Sequence, residues 1–217
     1  MKYLPIFLLT FFLSSCFEFI EEVTYNDDQS GVCQLTINGS QSQSKLDALF
    51  NMDSFLGVKI PNRDQINREI DVAIKALEES KGINNINHHL DFHNYIFNIK
   101  FSFDSTHHLN EALNNVSKAV ARKNSLPEYT VYSFKDNLFQ RLTSEGDSIV
   151  KAQGLKKRVN MLEGATATSI YRFHKTVKSV SNKQAKISKS GKAVMLKMKI
   201  TDIINNHELF ANTIKLQ

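Results

Sequence analysis

The most regular stretch of this sequence reads Tyr95-Ile96-Phe97-Asn98-Ile99-Lys100-Phe101-Ser102-Phe103. Apolar or aromatic residues fill every odd position, and from Asn98 onward the even positions are polar. Because successive side chains of a strand point to opposite faces of its sheet, this alternation predicts a strand with one buried face. Such a strand is typical of an antiparallel sheet that is covered on one side only.

Helices are predicted on either side of this strand. Apolar residues recur at helical spacing over 63–80, with Asn62 as the N-cap and Gly82 as the stop. A second such helix follows Ser105 and covers about 106–121. A further helix is predicted over 44–56, and the ambiguous segment 147–162 also favours a helix.

The remaining apolar runs predict strands, which cover 17–26, 31–38, 83–92, 129–134, 138–142, 167–178, 191–200 and 209–216, with one turn of helix near 201–206. This order of elements indicates an α+β fold, in which two to four helices pack on one face of a mostly antiparallel sheet. No internal repeat or low-complexity linker divides the chain. Residues 16–217 are therefore expected to form a single α+β domain.

The first fifteen residues have the layout of a secretory signal peptide. Lys2 precedes an apolar run from Ile6 to Leu13, which is far shorter than the roughly 20 residues that span a bilayer. The run ends in Leu13-Ser14-Ser15-Cys16, which looks like the lipobox of bacterial lipoproteins. We therefore expect cleavage before Cys16, with a diacylglycerol and an N-acyl group on that residue. The alternative is an ordinary signal peptide with a chance cysteine beside the cut.

The only other cysteine is Cys33, so the mature chain cannot form an internal disulfide. Cys33 alternates with Leu35 and Ile37 in a predicted strand. We interpret it as a small buried apolar residue and not as a reactive thiol.

Charge is unevenly distributed along the chain. Residues 17–150 hold 12 Lys and Arg against 19 Asp and Glu, whereas 151–217 hold 14 against 3. Such a basic segment can steer a protein toward anionic lipid or glycolipid headgroups. The candidate residues for that surface are Lys156, Lys157, Arg158, Arg172, Lys175, Lys178, Lys197 and Lys199. The alternative is a solvated basic face that balances the acidic part of the same fold, and export argues against nucleic acid as the partner.

A cluster of histidines is the only feature of the sequence that suggests a metal-binding site. His88, His89 and His93 lie near Asp91, and His107 and His108 follow. A zinc ion needs three or four converging ligands, which an extended strand does not supply without a turn. The sequence has no His-Glu-x-x-His motif, no Gly-x-Ser-x-Gly motif and no phosphate-binding glycine-rich loop. We therefore expect no enzyme and no cofactor beyond the covalent lipid, with a metal-binding protein or metal-dependent hydrolase as the alternative.

Several of these segments together resemble a known family. They are the lipobox, the strand Glu21-Glu22-Val23-Thr24-Tyr25-Asn26, the turn Ser30-Gly31, the pair Gly82-Ile83, the strand Phe97–Phe103 and the helix start Leu109-Asn110-Glu111-Ala112-Leu113. The pattern is similar to the uncharacterised envelope lipoproteins of the LppM type over about 16–120, with a weaker likeness over 168–200. The resemblance implies a membrane-anchored domain, with lipid or glycolipid binding as one proposal for the family.

Family members often have a C-terminal membrane helix, and none precedes Gln217, so Cys16 is expected to be the only anchor. The sequence thus predicts a lipid-anchored protein of the cell envelope, on either the inner or the outer membrane. Its expected role is that of a non-enzymatic binding or structural module for a ligand, a lipid or another envelope protein. Assembly of a larger envelope complex is a further alternative.

Overall fold

The computed structural model describes residues 17–55, 57–122, 126–143 and 162–217. Cys16 and most of the predicted helix 147–162 lie outside these ranges. The helices are α1 Gln43–Phe50, α2 Arg63–Glu78, α3 Thr106–Ala121 and α4 Ile200–Asn205, with 3-10 turns at Ser40–Ser42 and His207–Phe210. The strands are β1 Glu18–Tyr25, β2 Gly31–Asn38, β3 Ser54–Phe55, β4 Val58–Lys59, β5 Ile83–Asp91, β6 Ile96–Phe103, β7 Tyr132–Lys135, β8 Leu138–Arg141, β9 Thr166–Arg172, β10 Val177–Val180, β11 Lys186–Ile187, β12 Ala193–Lys199 and β13 Asn212–Leu216.

The fold is α+β, as predicted, and is built on a seven-stranded sheet in the order β11-β12-β9-β1-β2-β6-β5. In this large sheet β1 and β9 pair in parallel, and the other neighbouring pairs are antiparallel. A second sheet has the order β10-β13-β8-β7, and β3 and β4 form a separate hairpin. The sequence did not reveal the second sheet or the parallel pair, because both join segments that are distant along the chain.

The core lies on one face of the large sheet, which we call the inner face. Val23 is opposite Cys33 on β2 and Tyr171 on β9, and Cys33 is opposite Phe101 on β6. These four side chains are at most 1% exposed, so the prediction that Cys33 is buried is confirmed. Helices α2 and α3 and the second sheet cover them through a common set of buried residues, which includes Ile74, Leu77, Leu109, Tyr132, Phe139 and Ile214.

Both predicted helix starts are confirmed. The Asn62 side chain accepts from the Gln65 backbone, and the Gln65 side chain accepts from the Asn62 backbone, which forms a capping box. Ser105 accepts from the backbone N–H of His108 at the start of α3. Beyond the end of α2, Gly82 has φ +72°, a conformation that glycine adopts without strain. No helix in the described part of the chain is both long and apolar enough to cross a membrane.

Four predicted boundaries were wrong. Helix α1 ends at Phe50, because the chain turns there and makes the β3–β4 hairpin around Gly57, which has φ +76°. The predicted strand 167–178 is two strands, because the chain leaves the large sheet after Arg172 and joins the second sheet at Val177.

The predicted strand 209–216 starts at Asn212, because a 3-10 turn precedes it and buries Phe210. The predicted strand 129–134 starts at Tyr132, because the side chains of Asn114 and Asn110 bind the backbone of Tyr129 and Val131.

Candidate functional site

The best candidate site is an apolar groove on the inner face of the large sheet. Its floor follows from strand register: Phe19 on β1 is opposite Ile37 on β2 and Ala167 on β9, and Ile37 is opposite Phe97 on β6. These four residues form an apolar row across four adjacent strands. Ile37 is 39% exposed, which is unusual for an isoleucine on the face that carries the core.

The groove exists because two clusters of buried side chains meet this face, and within the described ranges neither of them covers the row. Leu35 and Phe97 pack against the main core, whereas Ala167 and Phe210 belong to a smaller cluster beside α4. The space between them is about 280 Å³, just below the range of about 300–1,000 Å³ that is typical of small-molecule sites. The groove is lined by Phe19, Ile20, Glu21, Leu35, Thr36, Ile37, Phe97, Ala167, Thr168 and Phe210.

One charged residue, Glu21, lies in this lining. It follows Phe19 on the inner face and is opposite Leu35 on β2. The Tyr171 hydroxyl donates to its carboxylate, and Arg141 Nη2 lies 3.8 Å from its other oxygen. The Glu21 and Arg141 side chains are each only 18% exposed. The carboxylate is therefore already bound by protein donors, and the groove offers no unpartnered charge to an occupant.

Arg141 also joins this polar end of the groove to its apolar wall. Its guanidinium carbon lies 5.1 Å from the centre of the Phe210 ring, a cation–π arrangement. Burial raises the pKa of the Tyr171 hydroxyl well above its ordinary value, so this group stays a neutral hydrogen-bond donor. The groove thus combines an apolar floor with a polar end whose groups are already paired with each other, which suits an apolar chain.

The groove begins where the described chain begins. The Phe17 carbonyl accepts a hydrogen bond of 2.8 Å from the Thr166 backbone, so the chain is held to β9 before β1 starts. Phe19 is two residues further on and forms part of the groove floor. The predicted lipidation site, Cys16, directly precedes Phe17 in the sequence.

The histidines that motivated the metal hypothesis are not brought together. His88 is opposite Ile99 on the inner face, His89 is opposite Asn98 on the outer face, and His93 lies in the β5–β6 turn. Asp91 binds that turn: it accepts from the His93 and Asn94 backbones and from the Asn94 side chain. These hydrogen bonds, with that of the Asn94 side chain the strongest, lower the pKa of Asp91.

His108 instead pairs with Asp104 at the start of α3. The His107 Nε2 atom lies 3.5 Å from a carboxylate oxygen of Glu111. The hydrogen bond from His108 is the main cause of the lowered pKa of Asp104. Within the described ranges, no three His, Cys, Asp or Glu residues are placed to hold a metal ion.

The described members of the predicted anionic-surface set lie on two different sheets and in the segment between them. Arg172, Lys197 and Lys199 lie on the outer face of the large sheet, where Arg172 pairs with Glu22 and Lys197 with Glu18, each at 2.7 Å. Lys178 is on the second sheet, and Lys175 binds the Asn137 side chain. Lys156, Lys157 and Arg158 lie outside the described residues. Binding to an anionic surface stays a prediction.

Sequence reasoning missed the groove, although one signal was present. Phe17, Phe19, Val23 and Tyr25 share a parity on β1, and Glu21 interrupts this apolar series. A carboxylate on the core-facing side of a strand needs protein partners, and here they come from distant strands. Arg141 and Phe210 could not be assigned to the same place from local patterns.

Comparison with known proteins supplies no residue roles. No family model matches the chain, and no curated protein matches it. Among solved α+β structures, it is similar to the NMR structure of the folded domain of the Mycobacterium tuberculosis LppM protein. That match has a TM-score of 0.43 and 12% identity, and covers 92% of this chain and 87% of the other. At this identity and TM-score, no family, function or site residue is transferred from it.

Proposed function

We propose that this protein is a lipid-anchored module of the bacterial cell envelope, which binds an acyl chain of a lipid or glycolipid in the inner-face groove. The observation that carries the proposal is the apolar row Phe19, Ile37, Phe97 and Ala167, left open at the start of β1. The expected lipid on Cys16 would hold this end of the domain at the membrane, where acyl chains are abundant. The proposed role is binding and not catalysis.

The energetics favour an apolar occupant. Each methylene group that moves from water into an apolar site contributes about 0.8 kcal/mol. A polar headgroup gains little inside the groove, because the Glu21 carboxylate is already bound by Tyr171 and lies beside Arg141. A headgroup is therefore expected at the groove mouth and the chain along the floor.

The proposal is tested with a dansyl-labelled undecanoic acid, whose fluorescence rises when it enters an apolar site. Titrated into the unlipidated chain, it should bind with a saturable, one-site isotherm. Ile37→Glu should weaken binding at least tenfold, because it places an unpaired carboxylate on the groove floor.

Met195→Glu is the matched control. Met195 is 37% exposed, close to the 39% of Ile37, but it lies on the outer face, opposite Ile170 on β9. It should leave binding unchanged. Equal losses for both variants, or no saturable binding by the unsubstituted chain, would contradict the proposed function.

A further inference from the structure

We infer that the resident ligand of the groove is one of the acyl chains attached to the protein's own Cys16, seated there whenever the protein is out of the bilayer. This inference rests on the proposed function and names the ligand of the same groove. It gives the lipid two alternative positions: the membrane, where it anchors the protein, and the groove, where it is shielded from water.

The described chain begins within reach of the groove. Phe17 is fixed by its backbone hydrogen bond to Thr166, and its ring lies beside Gly39. An extended chain advances at most about 3.6 Å per residue, so three residues span no more than about 11 Å. Cys16 precedes Phe19 by three residues in the sequence. A membrane acyl chain is longer than this, so a lipid on Cys16 would be long enough to reach the groove floor.

A tethered acyl chain competes for the groove better than a free one. A ligand attached three residues from the floor has an effective concentration in the millimolar range, which a free lipid in water does not reach. The tethered chain therefore occupies the groove first. Free lipid enters only when the anchor has left the groove for a bilayer.

The lining of the groove suits a saturated acyl chain. A saturated chain needs apolar contact along its length and no specific polar partner, and Phe19, Leu35, Ile37 and Phe97 supply such contact. The one carboxylate, Glu21, already accepts from Tyr171. With the groove empty, both Ile37 and the lipid would be exposed to water. Binding of the acyl chain in the groove buries both apolar surfaces, which is favourable.

The test is photo-crosslinking in the full, lipidated chain. Benzoylphenylalanine at position 37 inserts into nearby C–H bonds on irradiation, and position 195 on the outer face serves as the matched control. The protein is irradiated after release from membranes into detergent-free buffer, digested, and analysed by mass spectrometry. A mixture with isotopically labelled protein separates crosslinks within one chain from those between chains.

We expect a crosslink within one chain that joins the peptide around position 37 to an acyl chain on the Cys16 peptide, and none from position 195. Crosslinks from position 37 only to free phospholipid would overturn this inference and leave the proposed function standing. Crosslinks from position 37 to no lipid at all, together with failed binding of the dansyl probe, would overturn both. Equal labelling from positions 37 and 195 would show non-specific contact and also overturn the inference.

Discussion

At the scale of single residues, Glu21 is the most informative position. It lies on the inner face between two apolar residues of β1, Phe19 and Val23. Its neighbour Glu22 points to the outer face, where Arg172 pairs with it at 2.7 Å. Adjacent glutamates on one strand thus have opposite surroundings, which makes each the natural control for the other.

We expect Glu21→Ala to lower the free energy of unfolding by about 2–3 kcal/mol, because it leaves the buried Tyr171 hydroxyl without its acceptor. Glu22→Ala should cost less than about 1 kcal/mol, because the side chains of that ion pair are 46% and 32% exposed. Urea denaturation followed by circular dichroism measures both. Equal losses of unfolding free energy in the two variants would mean that Glu21 is not the buried acceptor of the Tyr171 hydroxyl.

The buried hydroxyls and the buried thiol predict a response to alkaline pH. Burial raises the pKa values of Tyr25, Tyr132, Tyr171 and Cys33 above their ordinary values. The folded state therefore keeps protons that the unfolded state releases above about pH 8.5 for Cys and about pH 10 for Tyr. The stability contributed by these groups is complete below those values and is lost as the pH rises further.

The urea midpoint should accordingly be lower at about pH 10.5 than at about pH 8. Cys33→Val should reduce the part of the stability loss that begins near pH 8.5, which is about the pKa of a cysteine thiol in the unfolded chain. In the folded protein at about pH 8, Cys33 should also resist thiol reagents and react once urea is added. A thiol that reacts in the folded protein would contradict its burial.

At the scale of elements, two asparagines of α3 hold the segment that precedes β7. The Asn110 side chain donates to the Tyr132 carbonyl and accepts from the backbones of Val131 and Tyr132. One turn later, the Asn114 side chain makes the same kind of exchange with the backbone of Tyr129. These side chains bind the backbone of Tyr129, Val131 and Tyr132, and thereby dock the segment before β7 on α3.

We expect Asn110→Ala to destabilise the protein by about 2–3 kcal/mol, because three hydrogen bonds to partly buried backbone are lost. Asn67→Ala in α2 is the matched control: Asn67 is an exposed helical asparagine, and alanine there should be neutral or slightly stabilising through helix propensity. Thermal unfolding of both variants distinguishes them. An Asn110→Ala protein as stable as the control would show that these side chains do not dock the segment.

The elements also show what could be predicted from sequence. Local signals sufficed for β6, whose alternation is complete, and for α2 and α3, whose caps were identified at Asn62 and Ser105. They failed at residues 173–176, where the chain passes from one sheet to the other with no glycine or proline to mark the change. They also could not predict the groove, because its floor, its polar end and its wall come from residues between 19 and 210.

At the scale of the whole molecule, the fold places acidic residues from the first part of the sequence beside basic residues from its last part. The parallel pairing of β1 and β9 brings the acidic start of the chain beside its basic end. Glu18 then pairs with Lys197, and Glu22 with Arg172, on the outer face. Part of the basic segment is thus balanced within the fold, and the opposite face is left to carry the apolar groove.

The most direct test of the central claim is methyl NMR of the unlipidated chain titrated with a saturated fatty acid. We predict saturable shifts for the methyl groups of Ile37, Leu35 and Ala167 on the groove, with Val32 and Ile170 on the outer face unchanged. Shifts concentrated on the outer face, or no shifts at saturating fatty acid, would contradict the account.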